Sequence, residues 1–520
     1  MDSAAFANTG SGFKDPRKLS FERDWIRRTV LASYWIVIIL AFPFWWHLTS
    51  IERLALPTSQ IRLQVQRNII FPIAVHFDAS ITQQNPSLNS RVQTLLRDSA
   101  INEPARWKGV DLRLQDRNDE GVCAHEFFSS GQGNLTLYTV ALGEQTSIAH
   151  SRHLRVSKTD AQSATRLSSI LSDLIAPPES SASHSQRVVQ YSNHYRLAFT
   201  LLNEGAAPNR FVETWDVQAA LADALSEFIF PLMSRLSILH NFTVESQVQY
   251  YAPLAFEPKR LTFGDTESSG LTQEDLTVFV NSAEWSLASS VSNDPVLHFV
   301  LFAPSETHSP MSIIDSEGRP TNQSSFLLPQ WGSIFILNNE FNSSSLHLSY
   351  NDLKPVFRNF ATQLAALLGV PPVPLGLNME ESSVLSDWQL DALLRRRAFQ
   401  NVQGSQDTLH SIVKLVDQIN NMPVGQVVRD DVLDALASLH EAYRTAIASP
   451  ALALRWSSKA SSMASRAFFN PGMLALLYFP AEHKYAVYTP LFASISVPLV
   501  VALIRDFLAW RRGSQDEVRR

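Results

Sequence analysis

Two stretches of twenty residues carry no charged side chain and lie near opposite ends of the chain. They are residues 29–48 (TVLASYWIVIILAFPFWWHL) and residues 485–504 (YAVYTPLFASISVPLVVALI). A helix of about 20 residues crosses the roughly 30 Å hydrocarbon core of a bilayer, so each stretch is long enough to span one. The first is a poor signal peptide: it starts late, its apolar run is long, and Pro43-Phe44-Trp45-Trp46 stands where small residues would mark cleavage. The second is a poor soluble core helix, because Pro490 and Pro498 interrupt it, whereas membrane helices tolerate proline. Trp45, Trp46, Tyr485 and Tyr488 edge one side of the spans and Trp510 the other, as an interfacial aromatic belt requires.

Basic residues orient the pair. Lys14, Arg17, Lys18, Arg23, Arg27 and Arg28 precede the first span; Arg505, Arg511, Arg512, Arg519 and Arg520 follow the second. Positive flanks stay cytosolic, so both tails are expected in the cytosol and residues 49–484 across the membrane. Sequons at Asn134, Asn241, Asn322 and Asn342 all fall in that translocated part and are candidate glycosylation sites. The two spans also account for part of a low charged fraction, 18% against about 25% in ordinary soluble domains. A net charge of −6 without a long basic cluster argues against nucleic acid as a partner.

Between the spans the hydrophobic period alternates between strand and helix, which predicts an α/β layer. Residues 69–77 read as a buried strand, with Pro72 expected to force an edge or a bulge. Leu88, Val92, Leu95 and Leu96 share a helical face. Residues 135–142 and 196–202 read as extended, and between them Thr159 and Gln162 form a capping-box signal for a helix through Leu174. Residues 217–228 and 357–368 read as helices. Residues 243–254, 276–280, 296–302 and 333–337 read as strands. Residues 370–376 (VPPVPLG) form a stiff break, after which strand signals cease and residues 384–468 read as helical. No internal repeat of fixed period is visible. The expected organisation is a cytosolic tail at 1–28, transmembrane helices at 29–48 and 485–504, a luminal α/β domain at 49–376, a luminal helical and membrane-proximal segment at 377–484, and a second cytosolic tail at 505–520.

Chemistry is sparse. The single cysteine, Cys123, excludes an internal disulfide framework and any CxxC motif. His125 lies two residues on, but a C-x-H spacing is little more than an ordinary thiol beside a histidine. His125-Glu126 and His440-Glu441 both lack the second histidine of a zinc-binding HExxH, and neither a nucleophile elbow nor a phosphate-binding glycine loop is present. No catalytic residue, metal ligand or cofactor site is expected. Residues 470–484 (NPGMLALLYFPAEHK) are too short to span before their charged end; Glu482, His483 and Lys484 face headgroups or a partner on one reading, and close the luminal core on another.

In several blocks the chain resembles the PIG-S family, a subunit of the membrane complex that attaches glycosylphosphatidylinositol (GPI) anchors to proteins. The blocks are Pro43, Trp45, Trp46, Thr49, Arg53, Leu56-Pro57 and Ile61; residues 199–203 (FTLLN); 241–251 (NFTVESQVQYY); Phe326 with 329–332 (PQWG); 360–369; 420–422 (NNM); and 477–488 (LYFPAEHKYAVY). They run in order from about residue 30 to 490, while 100–190 and 260–320 look less alike. The resemblance implies a non-catalytic, structural subunit in the endoplasmic reticulum membrane. Its partners would be a cysteine-peptidase-like catalytic subunit, PIG-T, PIG-U and the anchor-attachment subunit, with the GPI lipid a further candidate contact. From the residues alone, a free-standing luminal hydrolase or glycosyl-modifying enzyme and a receptor for substrate peptides remain alternatives.

Overall fold

The computed structural model describes residues 24–49, 53–83, 85–116, 136–148, 151–178, 188–205, 212–215, 219–263, 266–287, 294–338, 346–379, 385–419, 422–473 and 481–517. Contacts divide the chain into two compact units. One comprises residues 1–60, 408–433 and 465–520, and the other residues 61–407 and 434–464.

The larger unit holds two separate, mainly parallel sheets where a single layer was expected. The first is built from β1 (Phe71–Phe77), β2 (Val110–Asp116), β3 (Thr136–Leu142), β4 (Ser147–Ile148) and β5 (His153–Val156), in the order β2-β1-β3-β5-β4. β2, β1, β3 and β5 run parallel, and β4 returns antiparallel on β5. Pro72 therefore sits on an interior strand, not an edge. Phe71 donates its N–H to Gly109 O at 2.8 Å on the β2 side, so the donor that Pro72 lacks faces away from β2.

The second layer follows with β6 (His194–Asn203), β7 (Val212–Trp215), β8 (Asn241–Gln249), β9 (Lys259–Phe263), β10 (Thr266–Leu271), β11 (Val296–Ala303), β12 (Met311–Ile313), β13 (Ser325–Leu328), β14 (Gly332–Ile336) and β15 (Leu346–Leu348). Its main sheet has the order β8-β6-β11-β14-β13, parallel except for β13, which turns back on β14. This is the strand order of the first sheet repeated, down to the antiparallel strand that precedes its neighbour in sequence. The repeat is one of topology and leaves no periodic trace in the residues. Each layer also packs the helix between its first two strands against the helix that follows its last. These are Leu88–Asn102 on Ala164–Ile175, and Ala220–Ala224 on Tyr350–Leu367. β16 (Asn378–Met379) adds a short parallel strand to β4, beyond the point where strand signals ceased.

Local differences from the sequence pattern have simple causes. The helical run after β5 is capped by Ser157, whose side chain accepts from the Asp160 N–H, and capped again by Ser163, not by Thr159 with Gln162. Two serines each offer an acceptor to an unpaired first-turn N–H, so the run breaks in two. Residues expected as a strand at 276–280 instead leave a short helix, Gln273–Thr277, where Thr272 and Asp275 form a reciprocal capping box.

The second sheet is covered on both faces. Phe199 and Phe299 stack at 5.2 Å and meet Phe357 and Phe360 of the helix Tyr350–Leu367. Leu202, Val300, Phe302 and Ile334 point the other way, into a cluster with Phe279 and Trp285. Alternation of side chains explains the split, and burial on both faces explains the near-continuous apolar run in β11. Beyond residue 385 the chain is helical, at Asp387–Gln418, Gln426–Ala446 and Pro450–Phe468.

At the ends, the first apolar stretch forms the helix Asp24–Thr49, whose apolar run is Arg28–Phe44. The second lies in the helix Ala481–Glu517. Within it Ala486–Arg505 is the one stretch among the described residues that is long and apolar enough to cross a membrane.

Candidate functional site

Parallel α/β sheets bind ligands outside the carboxyl ends of their strands, where neighbouring connections depart to opposite sides. In the second layer that point lies between β6 and β11. Glu204, directly after β6, donates its N–H to Ala303 O at 3.0 Å, just as Asp78 after β1 donates to Val140 O at 2.9 Å in the first layer. The two layers thus place an acidic residue at the same topological position.

Their surroundings differ. The Glu204 carboxylate is 6% exposed; Oε1 lies 2.6 Å from His308 Nδ1 and Oε2 accepts from the Ser305 N–H at 2.8 Å. His308 Nε2 meets the exposed Glu257 at 3.2 Å. Both imidazole nitrogens are therefore engaged by carboxylates. Ser305 Oγ is 3.0 Å from Thr307 Oγ1 and pairs with that hydroxyl instead of the histidine. A relay that activates a nucleophile needs an imidazole nitrogen free to take its proton. This arrangement instead ties the ends of β6 and β11 to the segment around Glu257. Asp78 carries a simpler contact, accepting from Ser80 Oγ at 3.0 Å.

A second polar cluster is buried against the first sheet. Tyr138 on β3 donates to Asp391 Oδ2 and accepts from Arg395 Nη1, both at 2.8 Å; Arg152 forks onto Asp391 at 2.6 and 3.1 Å. Arg395 also donates to Ile175 O at 3.0 Å, and Trp388 lies 4.1 Å from the Tyr138 ring. Burial pushes the Tyr138 hydroxyl well above the ordinary tyrosine range, so it stays a donor. The cluster fastens the start of the helix Asp387–Gln418 to the sheet.

In the smaller unit, Leu54 donates its N–H to Val424 O at 2.9 Å and Arg53 Nη2 to Val416 O at 2.9 Å. Asp431, 3% exposed, is forked by Arg466. The segment after the first apolar helix and the end of Pro450–Phe468 are thereby fixed to the same helical hairpin.

Of the sequence-derived site residues, Asn241 opens the edge strand β8 and Asn322 lies in a bend; both are exposed. Asn134, Asn342, Cys123 and His125 lie outside the described residues. Trp45 and Trp46 fall within the helix Asp24–Thr49, and Glu482, His483 and Lys484 in the first turn of Ala481–Glu517. Asn241 and Asn322 join neither of the clusters above. Glu204, His308, Tyr138 and Asp391 carried no sequence signal, being partnered across 104 and 253 residues.

Several of the motif blocks have a structural reason. In residues 329–332, Trp331 stacks on His298 at 4.7 Å, and a Cβ on Gly332 would lie 1.9 Å from His298 O. In residues 199–203, the Asn203 amide brackets Val212, donating to its O at 2.8 Å and accepting from its N–H at 3.0 Å.

The family model described as "Phosphatidylinositol-glycan biosynthesis class S protein" matches residues 32–513. The GPI-anchor transamidase component PIGS of Mus musculus is 29% identical, over 94% of this chain and 96% of its own. The GPI transamidase component PIG-S homolog of Schizosaccharomyces pombe is 29% identical, over 97% and 88%. The GPI transamidase component GPI17 of Saccharomyces cerevisiae is 26% identical, over 91% and 90%.

Proposed function

The chain belongs to the PIG-S family, the phosphatidylinositol-glycan biosynthesis class S proteins, and from that membership we infer that it is a subunit of the GPI-anchor transamidase complex. One observation carries the inference. The match runs without a missing domain from the first apolar helix to the end of the last, and relatives from mammals and two yeasts align over nine-tenths of the chain or more.

We propose further that the role is structural, not catalytic. The internally satisfied Glu204–His308–Ser305 network supports this, since it leaves no poised nucleophile at the position where an α/β layer would carry one. In this reading the luminal layers hold a cysteine-peptidase-like catalytic subunit, PIG-T, PIG-U and the anchor-attachment subunit in place. The chain sits in the endoplasmic reticulum membrane with two spans, at residues 29–48 and 485–504, cytosolic tails at 1–28 and 505–520, and residues 49–484 in the lumen. Supporting the spans, large apolar side chains such as Val37 and Leu40 on the first helix and Leu491 and Val501 on the last are exposed. Trp45, Trp46 and residues 482–484 would then stand at the luminal interface, and the sequons at Asn134, Asn241, Asn322 and Asn342 on the glycosylated side.

The test is purification of the full chain in mild detergent, with identification of what accompanies it. A peptidase-like subunit in stable stoichiometry is expected; recovery of the chain alone would overturn the subunit reading. For the non-catalytic role, Cys123→Ala and His125→Ala are each expected to retain anchor attachment in cells. Loss of attachment with assembly intact would refute it.

A further inference from the structure

The larger unit contains a small cleft of about 100 Å³ between the segment that follows the short helix Thr58–Val65 and one face of the helix Asp387–Gln418. Arg67 and Lys108 both line it. Neither has a carboxylate partner among the described residues. Each is instead shelved on a ring: the Arg67 guanidinium lies 4.3 Å from the Tyr443 centroid, and the Lys108 ammonium 5.2 Å from that of Phe399. A ring face holds a cation in place while leaving its N–H donors unused.

The floor is fixed by one amide. Gln406 Nε2 lies within hydrogen-bonding distance of Gln64 O and Arg67 O, both at 2.7 Å, and of Tyr443 OH at 2.8 Å. This pins the backbone of Arg67 and the ring beneath its side chain together. Asn68 and Gln403 complete the lining with side-chain amides that have no partner among the described residues. Asp407 lines the cleft too, engaged in an interaction of its own, so two cations face one carboxylate.

From this arrangement we propose that the cleft is a binding site for a single phosphate group. A tetrahedral oxyanion presents acceptors in several directions, and here a guanidinium, an ammonium and two amides from three segments of chain line one cleft. The volume leaves room for one such group. The phosphate is either free in solution or the headgroup of a phospholipid; the recognising chemistry is shared.

The proposal is tested on the full chain in detergent, with inorganic phosphate and a short-chain phosphatidylinositol as probes and acetate as the carboxylate control, binding being read by calorimetry. Binding of inorganic phosphate supports the site with a soluble source, and binding of the phosphatidylinositol alone supports it with a lipid source. In either case Arg67→Gln with Lys108→Gln is expected to weaken binding by at least about tenfold, and Lys108→Arg to retain it. Both variants alter exposed side chains, and unchanged thermal unfolding without ligand establishes that they are folded. Absence of binding by both probes, binding indifferent to the double substitution, or acetate bound as tightly as phosphate would each overturn the assignment. The outcome is independent of the partner purification described above, so either reading can fail without the other.

Discussion

The hydroxyl of Tyr138 and the carboxylate of Asp391 meet at 2.8 Å across 253 residues of sequence, joining the first sheet to the first long helix of the C-terminal segment. Asp391 is almost wholly buried and also takes a forked Arg152. Asp391→Ala removes the charge that Arg152 uses and the acceptor that orders Tyr138 and Arg395. A loss of about 3–5 kcal/mol is expected. Tyr138→Phe, which keeps the ring against Trp388, is expected to lose only about 1–2 kcal/mol. Denaturant unfolding of the full chain in detergent measures both, and equal losses would show that the ring, not the network, is what matters.

Two imidazoles, buried His240 and half-buried His298, predict acid sensitivity. Burial holds both His240 and His298 down at about 4; nearby Arg397 and Arg196 respectively add to the effect, and the bond to Ser192 O opposes it at His240. An unfolded histidine titrates near 6.5. Below that value the unfolded chain takes up protons that the folded chain refuses, so stability falls as pH drops from about 6.5 toward 4 and is unaffected by these groups above it. The limiting slope is roughly 1.4 kcal/mol per pH unit for each histidine. Midpoint temperatures measured from pH 7.5 to 5 should decline, and His240→Phe should flatten the decline.

Gly332 has no room for a side chain. Its added Cβ would stand 1.9 Å from His298 O, a backbone atom within the ladder. Gly332→Ala is therefore expected to destabilise by at least about 3 kcal/mol or to prevent accumulation of folded protein. Gly318, with open space around its Cβ position but a positive φ of 79°, should lose only about 1 kcal/mol as alanine, and serves as the comparison in the same unfolding assay.

The Asp431–Arg466 pair is asymmetric, with side chains 3% and 60% exposed. Arg466→Met strands a buried carboxylate and should destabilise by about 3 kcal/mol or more. Combining it with Asp431→Leu should restore most of that loss, because an apolar pair needs no partner. A double-mutant cycle on thermal unfolding reports the coupling; additive effects would contradict it.

Asn241 and Asn322 are the two sequons on described, exposed backbone. Each Asn→Gln change is expected to remove one glycan-sized step in gel mobility that endoglycosidase treatment also removes. At Asn241 the sugar would stand at the start of β8, the outer strand of its sheet, and shield that edge from pairing with other chains. Unchanged mobility at both positions would show that neither sequon carries a glycan.

Much of the secondary structure could be read from local pattern. β3, β6, β11 and the helix Tyr350–Leu367 follow directly from side-chain periodicity, which one face or both faces of burial impose on neighbouring residues. Pro72 misled, because its strand is paired on both sides and the β2 ladder uses the Phe71 donor instead. Residues 276–280 misled as well: they are apolar enough for a strand, but Thr272 and Asp275 satisfy the backbone as a helix start.

The sequence by itself determined the two apolar ends, the alternation of strand and helix between them, the helical return and the family. These are set by composition and spacing over tens of residues, where the physics is burial against water or lipid. Tertiary structure alone decided that the α/β region is two layers of one topology, with Asp78 and Glu204 at matching points. It also decided which acids and bases meet, as with Tyr138 and Asp391, and His308 and Glu204. Strand order and polar pairing act between residues tens to hundreds apart in the chain, and no local periodicity encodes which of them will become neighbours.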